Sequence, residues 1–180
     1  ELRTEQIKGS DPRQPETGPF SNGSWEVHES GISGSCATGA AVLLLESGTS
    51  DLDMSLRINI AQGPRAGVAV GGDEYGRGAL LLLLDAANDE ITLGELRQGV
   101  FGPSLGRPLD IVHRTVQRGT EYGIRIVKRD RYAEAFIDDE LFFSTITGDL
   151  GKGDWLALVA DSARATFQID RIHRISPMKR

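Results

Sequence analysis

The 180 residues carry 26 acidic and 20 basic side chains, a single cysteine and a formal net charge of -6. That length suits one domain with a substantial core, the acidic balance argues against a phosphate-backbone partner, and one cysteine leaves no intramolecular disulfide or multi-cysteine zinc site, so Cys36 reads as a small buried hydrophobe. No apolar run approaches the roughly 18 residues of a membrane span and no stretch has the build of a signal peptide, so neither nucleic acid nor membrane is an expected partner.

In chain order, residues 1–22 hold Pro12, Pro15 and Pro19 among polar side chains and glycines, and read as an N-terminal arm or linker. From there to residue 176 short apolar runs alternate with Gly, Asp, Asn and Ser clusters, and 177–180 form a tail. "AAVLLLES" (40–47) and "GALLLLLDAANDEITL" (78–93) are unusual, because Ala79–Leu84 is apolar without a break whereas a half-exposed strand alternates. Either another part of the chain, such as "GVFGPSLGRPLDIV" or the arm, covers the second face, or a partner does. "DMSLRINI" alternates cleanly, with Met54, Leu56, Ile58 and Ile60 opposite Asp53, Ser55, Arg57 and Asn59. "EYGIRIVKRD" groups Tyr122, Ile124 and Ile126 opposite Arg125, Val127 and Arg129, and "RYAEAFIDD" follows it as a hairpin. "LFFSTI", "DWLALVAD" and "ATFQIDRIHRI" complete roughly a dozen strands. The prediction is an all-β, two-sheet antiparallel jelly-roll sandwich, concanavalin A-like, over residues 23–176.

Catalytic signals are sparse. His28, His113 and His173 fall on separate segments without metal-ligand spacing, and "VGGDEYGRG" lies between two strands with no helix to receive a phosphate. Asp73 with Glu74, or Asp138 with Glu140, would serve a free-standing lectin-like glycoside hydrolase only across a cleft, and "DDE" reads instead as a hairpin turn. Carbohydrate binding needs an aromatic surface beside groups that bond adjacent hydroxyls. Asp73, Glu74, Tyr75 and Arg77 in one loop and Arg129 and Tyr132 in another have that chemistry. No cofactor is expected; Asp51, Asp53 and Asp170 are the oxygens that a structural calcium would use.

"DRYAEAFIDDE" (130–140) resembles a segment of the C-terminal β-sandwich of glycoside hydrolase family 32, the invertases, inulinases and levanases, with Asp130, Arg131, Glu134, Phe136 and Asp139 matching. The spacing between Arg131 and Glu134 is one residue shorter here, and Asp138 and Glu140 replace an Asn and a Gly. "GSWEVHESGISGS" and "RAGVAVGGDEYGRGALLLLLD" are similar to the lectin-like modules attached to fructan-degrading enzymes, and Glu1, Leu2 and Arg3 to the end of the family's catalytic propeller. The resemblance implies a non-catalytic carbohydrate-binding module, with fructan as ligand, in a larger extracellular or periplasmic glycoside hydrolase; a cytoplasmic place stays open. The family's Trp-Met-Asn-Asp-Pro-Asn, Arg-Asp-Pro and Glu-Cys motifs do not occur, so this chain alone is not expected to cleave fructans. A purely structural domain, packing on a catalytic propeller or on a symmetric copy, is the alternative.

Overall fold

The computed structural model describes residues 23–99 and 102–176; the expected arm at 1–22 and tail at 177–180 lie outside the described residues. The elements are β1 (Gly23–His28), β2 (Gly31–Cys36), β3 (Ala40–Glu46), β4 (Leu52–Gln62), β5 (Arg65–Gly72), β6 (Ala79–Asp85), β7 (Glu90–Gly99), β8 (Gly102–His113), β9 (Glu121–Arg129), β10 (Tyr132–Ile137), β11 (Glu140–Ile146), β12 (Trp155–Asp161) and β13 (Arg164–Arg174). They form a seven-stranded sheet, β1-β2-β13-β4-β9-β10-β11, and a six-stranded one, β3-β12-β5-β6-β7-β8. Every ladder is antiparallel. This is the all-β jelly-roll sandwich expected from the sequence.

Period-two patterning builds the core between the sheets. Leu52, Met54, Leu56, Ile58 and Ile60 of β4 face Leu43, Leu45, Val68, Leu80, Leu82 and Leu84 of the opposite sheet, all buried. Trp25 of β1 tilts against Phe167 of β13, ring centroids 5.9 Å apart. Turn chemistry agrees with the strands. Asp138 (φ 49°) and Asp139 (φ 66°) are the two central residues joining β10 to β11, and a type I′ turn requires a positive φ at both.

The leucine run splits between two layers. Leu80, Leu82 and Leu84 enter the intersheet core, while Leu81 and Leu83 lie on the outer face with Val42, Ala69, Leu96, Ala157 and Val159. That outer layer is also buried, Leu81 at 1% and Leu83 at 4% exposure. A flat six-stranded sheet would hold its edge strands about 24 Å apart, yet β8 comes up against β3. Register shifts at Leu93/Gly94 and Gly94/Leu96 bend the pairing of β7 with β8. The second face is therefore covered from within the chain; of the two expected covers, the arm lies outside the described residues and the 99–112 segment does so in part. An open leucine face kept for a partner, the other expectation, is not what the structure shows.

Loop packing at one end of the sandwich depends on two glycines. Gly71 has φ +72°, and a Cβ there would come within 2.4 Å of the Gly151 backbone. Gly71→Ala is expected to lower stability by about 2 kcal/mol, from left-handed strain and overpacking together, read as a drop in the midpoint of urea unfolding.

Candidate functional site

The two loops singled out in the sequence come to the same end of the sandwich. The connection from β11 to β12 joins them: its Gly151 N–H donates to the Gly78 carbonyl at 2.9 Å, and its Thr147 N–H to the Arg131 carbonyl at 2.7 Å. In the β5–β6 loop Asp73 is largely committed to its own turn. Its carboxylate accepts from the amides of Tyr75 and Arg77, each at 2.9 Å, and from Arg77 Nε at 2.8 Å. Partial burial works against ionisation of Asp73, but these hydrogen bonds outweigh it and hold the carboxyl below its usual range. The Arg77 guanidinium lies over the Tyr75 ring, 4.9 Å from its centroid, and Tyr75 is half exposed. Glu74 is exposed on the same loop.

Tyr132 belongs to a different surface. It opens β10, on the outward phase with Glu134 and Phe136, while Ala133, Ala135 and Ile137 point into the core. Its hydroxyl donates to Glu134 Oε1 at 3.1 Å and also meets Ser144 Oγ of β11. Arg129, its partner across the hairpin, is exposed.

That outward phase continues across the seven-stranded sheet. Arg171, Ser55, Arg125, Phe136 and Leu141 form one cross-strand row, and His173, Asp53, Val127, Glu134 and Ser144 the next. Arg125 grips Asp53 with two hydrogen bonds, at 3.0 and 2.8 Å, and Arg171 Nη2 reaches the same carboxylate at 3.4 Å. Arg57 is bidentate on Asp170, at 3.2 and 3.0 Å, and touches Glu121 at 3.3 Å. Its sheet neighbour Gly123 leaves the surface low beside it. The Arg125 guanidinium also lies over the Phe136 ring, 5.5 Å from the centroid. The Arg125 hydrogen bond, more than the nearby positive charges, holds Asp53 below the usual carboxylate range against the opposing effect of burial.

A bulge in β13 completes the face. Ile169 pairs with Leu56 and Arg171 with Ser55, leaving Asp170 as the extra residue, so Asp170 and Arg171 both turn outward. Asp53 and Asp170 thus bind guanidinium groups, and Asp51 accepts the Asp130 amide at 2.7 Å. The three oxygens suggested for calcium are separately engaged, and no metal-holding cluster of His, Cys, Asp or Glu occurs among the described residues.

Chemically, the face presents donors and acceptors locked in place by their own ion pairs, beside an aromatic and apolar margin of Tyr132, Phe136 and Leu141. Adjacent sugar hydroxyls, each both donor and acceptor, need such an arrangement. An acid for glycosidic cleavage needs a carboxyl kept protonated, which does not suit Asp53 or Asp73, both held below the usual carboxylate range. Arg57, Arg125, Glu134, Phe136 and Arg171 are not among the sugar-binding residues that the sequence suggests, and Asp53 is suggested there only as a calcium ligand. The alternation in "DMSLRINI" and "EYGIRIVKRD" was the available signal, since it names the polar phase without saying what that phase meets.

Among solved structures the sandwich is similar to the carbohydrate-binding module CBM66 of Bacillus subtilis, with a TM-score of 0.69 and 17% identity over 82% of this chain and 90% of that one. It is also similar to the galectin LEC-6 of Caenorhabditis elegans, TM-score 0.55 and 9% identity over 84% and 98%. A Bacillus subtilis protein of unknown function with a galectin-like fold gives 0.57 and 12% over 85% and 87%. No protein-family model matches the chain, and no curated protein does. At these identities the likeness shows the fold, a β-sandwich shared by galectins and carbohydrate-binding modules.

Proposed function

We propose that the chain is a non-catalytic carbohydrate-binding module that takes a neutral glycan, fructan first, on the outer face of the seven-stranded sheet. The observation that carries this reading is the set of guanidinium groups, Arg57, Arg125 and Arg171, each held against a carboxylate on one surface. Because those charges are compensated, the face suits hydroxyls better than a polyanion. The segment that resembles family 32 supplies Glu134 and Phe136 to this face, which supports fructan as the ligand and a larger extracellular or periplasmic glycoside hydrolase as the parent. Asp73, Glu74, Tyr75 and Arg77 would make a second contact along a longer chain, with Arg129 and Tyr132 at the margin between. Affinity is modest, since few groups are immobilised per sugar.

Affinity electrophoresis through gels containing levan, inulin or a β-glucan tests this, with an unrelated acidic protein as control. Retardation is expected in a fructan gel. Tyr132→Ala and Tyr75→Ala should each weaken it about three- to tenfold, the range of one aromatic or hydrogen-bonded contact. Loss of all retardation in Tyr75→Ala, with Asp53 variants unaffected, would move the site to the loops. A structural role draws its support from Leu141 and Ile146 on the edge strand β11, 50% and 73% exposed; no retardation in any polymer would favour it.

A further inference from the structure

The inward phase of β9 runs Tyr122, Ile124, Ile126 and then Lys128. Lys128 is 1% exposed, as fully buried as Phe143 and Phe167. Its Nζ donates to the carbonyl of Asp130, and its Cε packs so closely on Gly151 that a Cβ there would approach to 2.7 Å. Asp130 is itself left-handed, φ 50°, with its N–H on Asp51 Oδ1. Thr147, whose N–H holds the Arg131 carbonyl, keeps its Oγ1 buried without a hydrogen-bond partner. One buried side chain thus joins the β9–β10 turn to the β11–β12 connection, while Asp51 ties the same turn to the loop before β4.

Burial disfavours the charged form of the amine in the folded chain. Burial pushes it below the usual lysine range, Lys152 adds to this, and Asp51 and Asp130 partly oppose it. A lysine lowered on folding leaves the folded chain disfavoured while charged, and stability rises as pH climbs through its folded value. An apolar side chain of similar length would fill the space without that penalty.

We propose that Lys128 is a positioning residue of the glycan-binding face: it fixes the β9–β10 turn so that Tyr132 and Arg129 stand at the margin of the Arg125–Asp53 cluster. The inference rests on the carbohydrate reading above. Its test compares the full chain with Lys128→Met, Tyr132→Ala and the double variant by thermal melting, by amide hydrogen exchange at Asp130 and Thr147, and by retardation in levan and inulin gels. Lys128→Met is expected to melt at the same temperature or higher, to exchange those amides at least tenfold faster, and to bind about three- to tenfold more weakly, no more than Tyr132→Ala. In the Tyr132→Ala background Lys128→Met should cost clearly less binding than it does alone, because part of its effect runs through Tyr132. Additive losses, unchanged exchange, unchanged binding or a melting point lowered in step with binding would each overturn the proposal. Should the unsubstituted chain be retarded by neither polymer, the carbohydrate reading fails and the positioning role at that face fails with it; the exchange data then decide separately whether Lys128 holds the turn.

Discussion

Asp53→Ala abolishes measurable glycan retardation and leaves the sandwich folded: this is the largest functional effect expected of any single substitution on the face. Asp53 is the carboxylate that both Arg125 and Arg171 address, so its removal takes away one acceptor and lets two guanidinium groups swing. Hydrogen bonds to charged groups contribute about 1.5–3 kcal/mol each, which places the loss near 100-fold in affinity. The fold suffers less, because the Arg125 and Arg171 side chains are more than 40% exposed and solvent-screened pairs contribute at most about 1 kcal/mol. Asp53→Asn, which keeps an acceptor without the charge, should fall between. The pH dependence follows from the same contact. A carboxyl lowered on folding contributes stability that is present above its unfolded value, about 3.9, and lost as pH falls through the folded value. Retardation should therefore stay flat from pH 8 to pH 5. Binding by Asp53→Ala as tight as that of the unsubstituted chain would remove this face from consideration.

What was legible in the sequence was local. The Asp138–Asp139 turn, the β9–β10 hairpin and the inward phase of β4 each follow from residues that touch their own neighbours, and all appear as read. The leucine run showed that both faces were buried, but not that the pairing of β7 with β8 would be irregular, since its bulges lie in an ordinary polar and glycine-containing stretch. The binding face was hidden for a topological reason. "DMSLRINI" and "EYGIRIVKRD" become neighbours only because β4 pairs with β9 across the intervening six-stranded-sheet hairpins; nothing local announces that pairing. β13 conceals its share differently. Extending the alternation of Ala165, Phe167 and Ile169 would turn Arg171 inward, and only the extra residue at Asp170 reverses it. Lys128 carries a signal of its own, a charge on the inward phase set by Tyr122, Ile124 and Ile126.

Phe167→Ala should do the opposite of Asp53→Ala. Phe167 is 1% exposed and packs on Trp25; Gly34 lies flat beneath that indole, with no room for a Cβ, which would fall 2.3 Å from the ring. A neighbourhood this tightly fitted relaxes poorly, so removing the ring leaves a cavity and costs about 3–5 kcal/mol. That is a large share of the 5–15 kcal/mol by which domains are stable, and corresponds to a fall of about 10–15 °C in melting temperature at this size. Phe167 nevertheless points away from the outer surface, while Gln168, Asp170 and Arg171 on the same strand face it. Below its lowered melting temperature the variant should be retarded in fructan gels as strongly as the unsubstituted chain. If binding disappears while the fold is still intact, β13 transmits strain from the core to the face, and the face is not the rigid preformed surface that the Arg125–Asp53 and Arg57–Asp170 pairs imply.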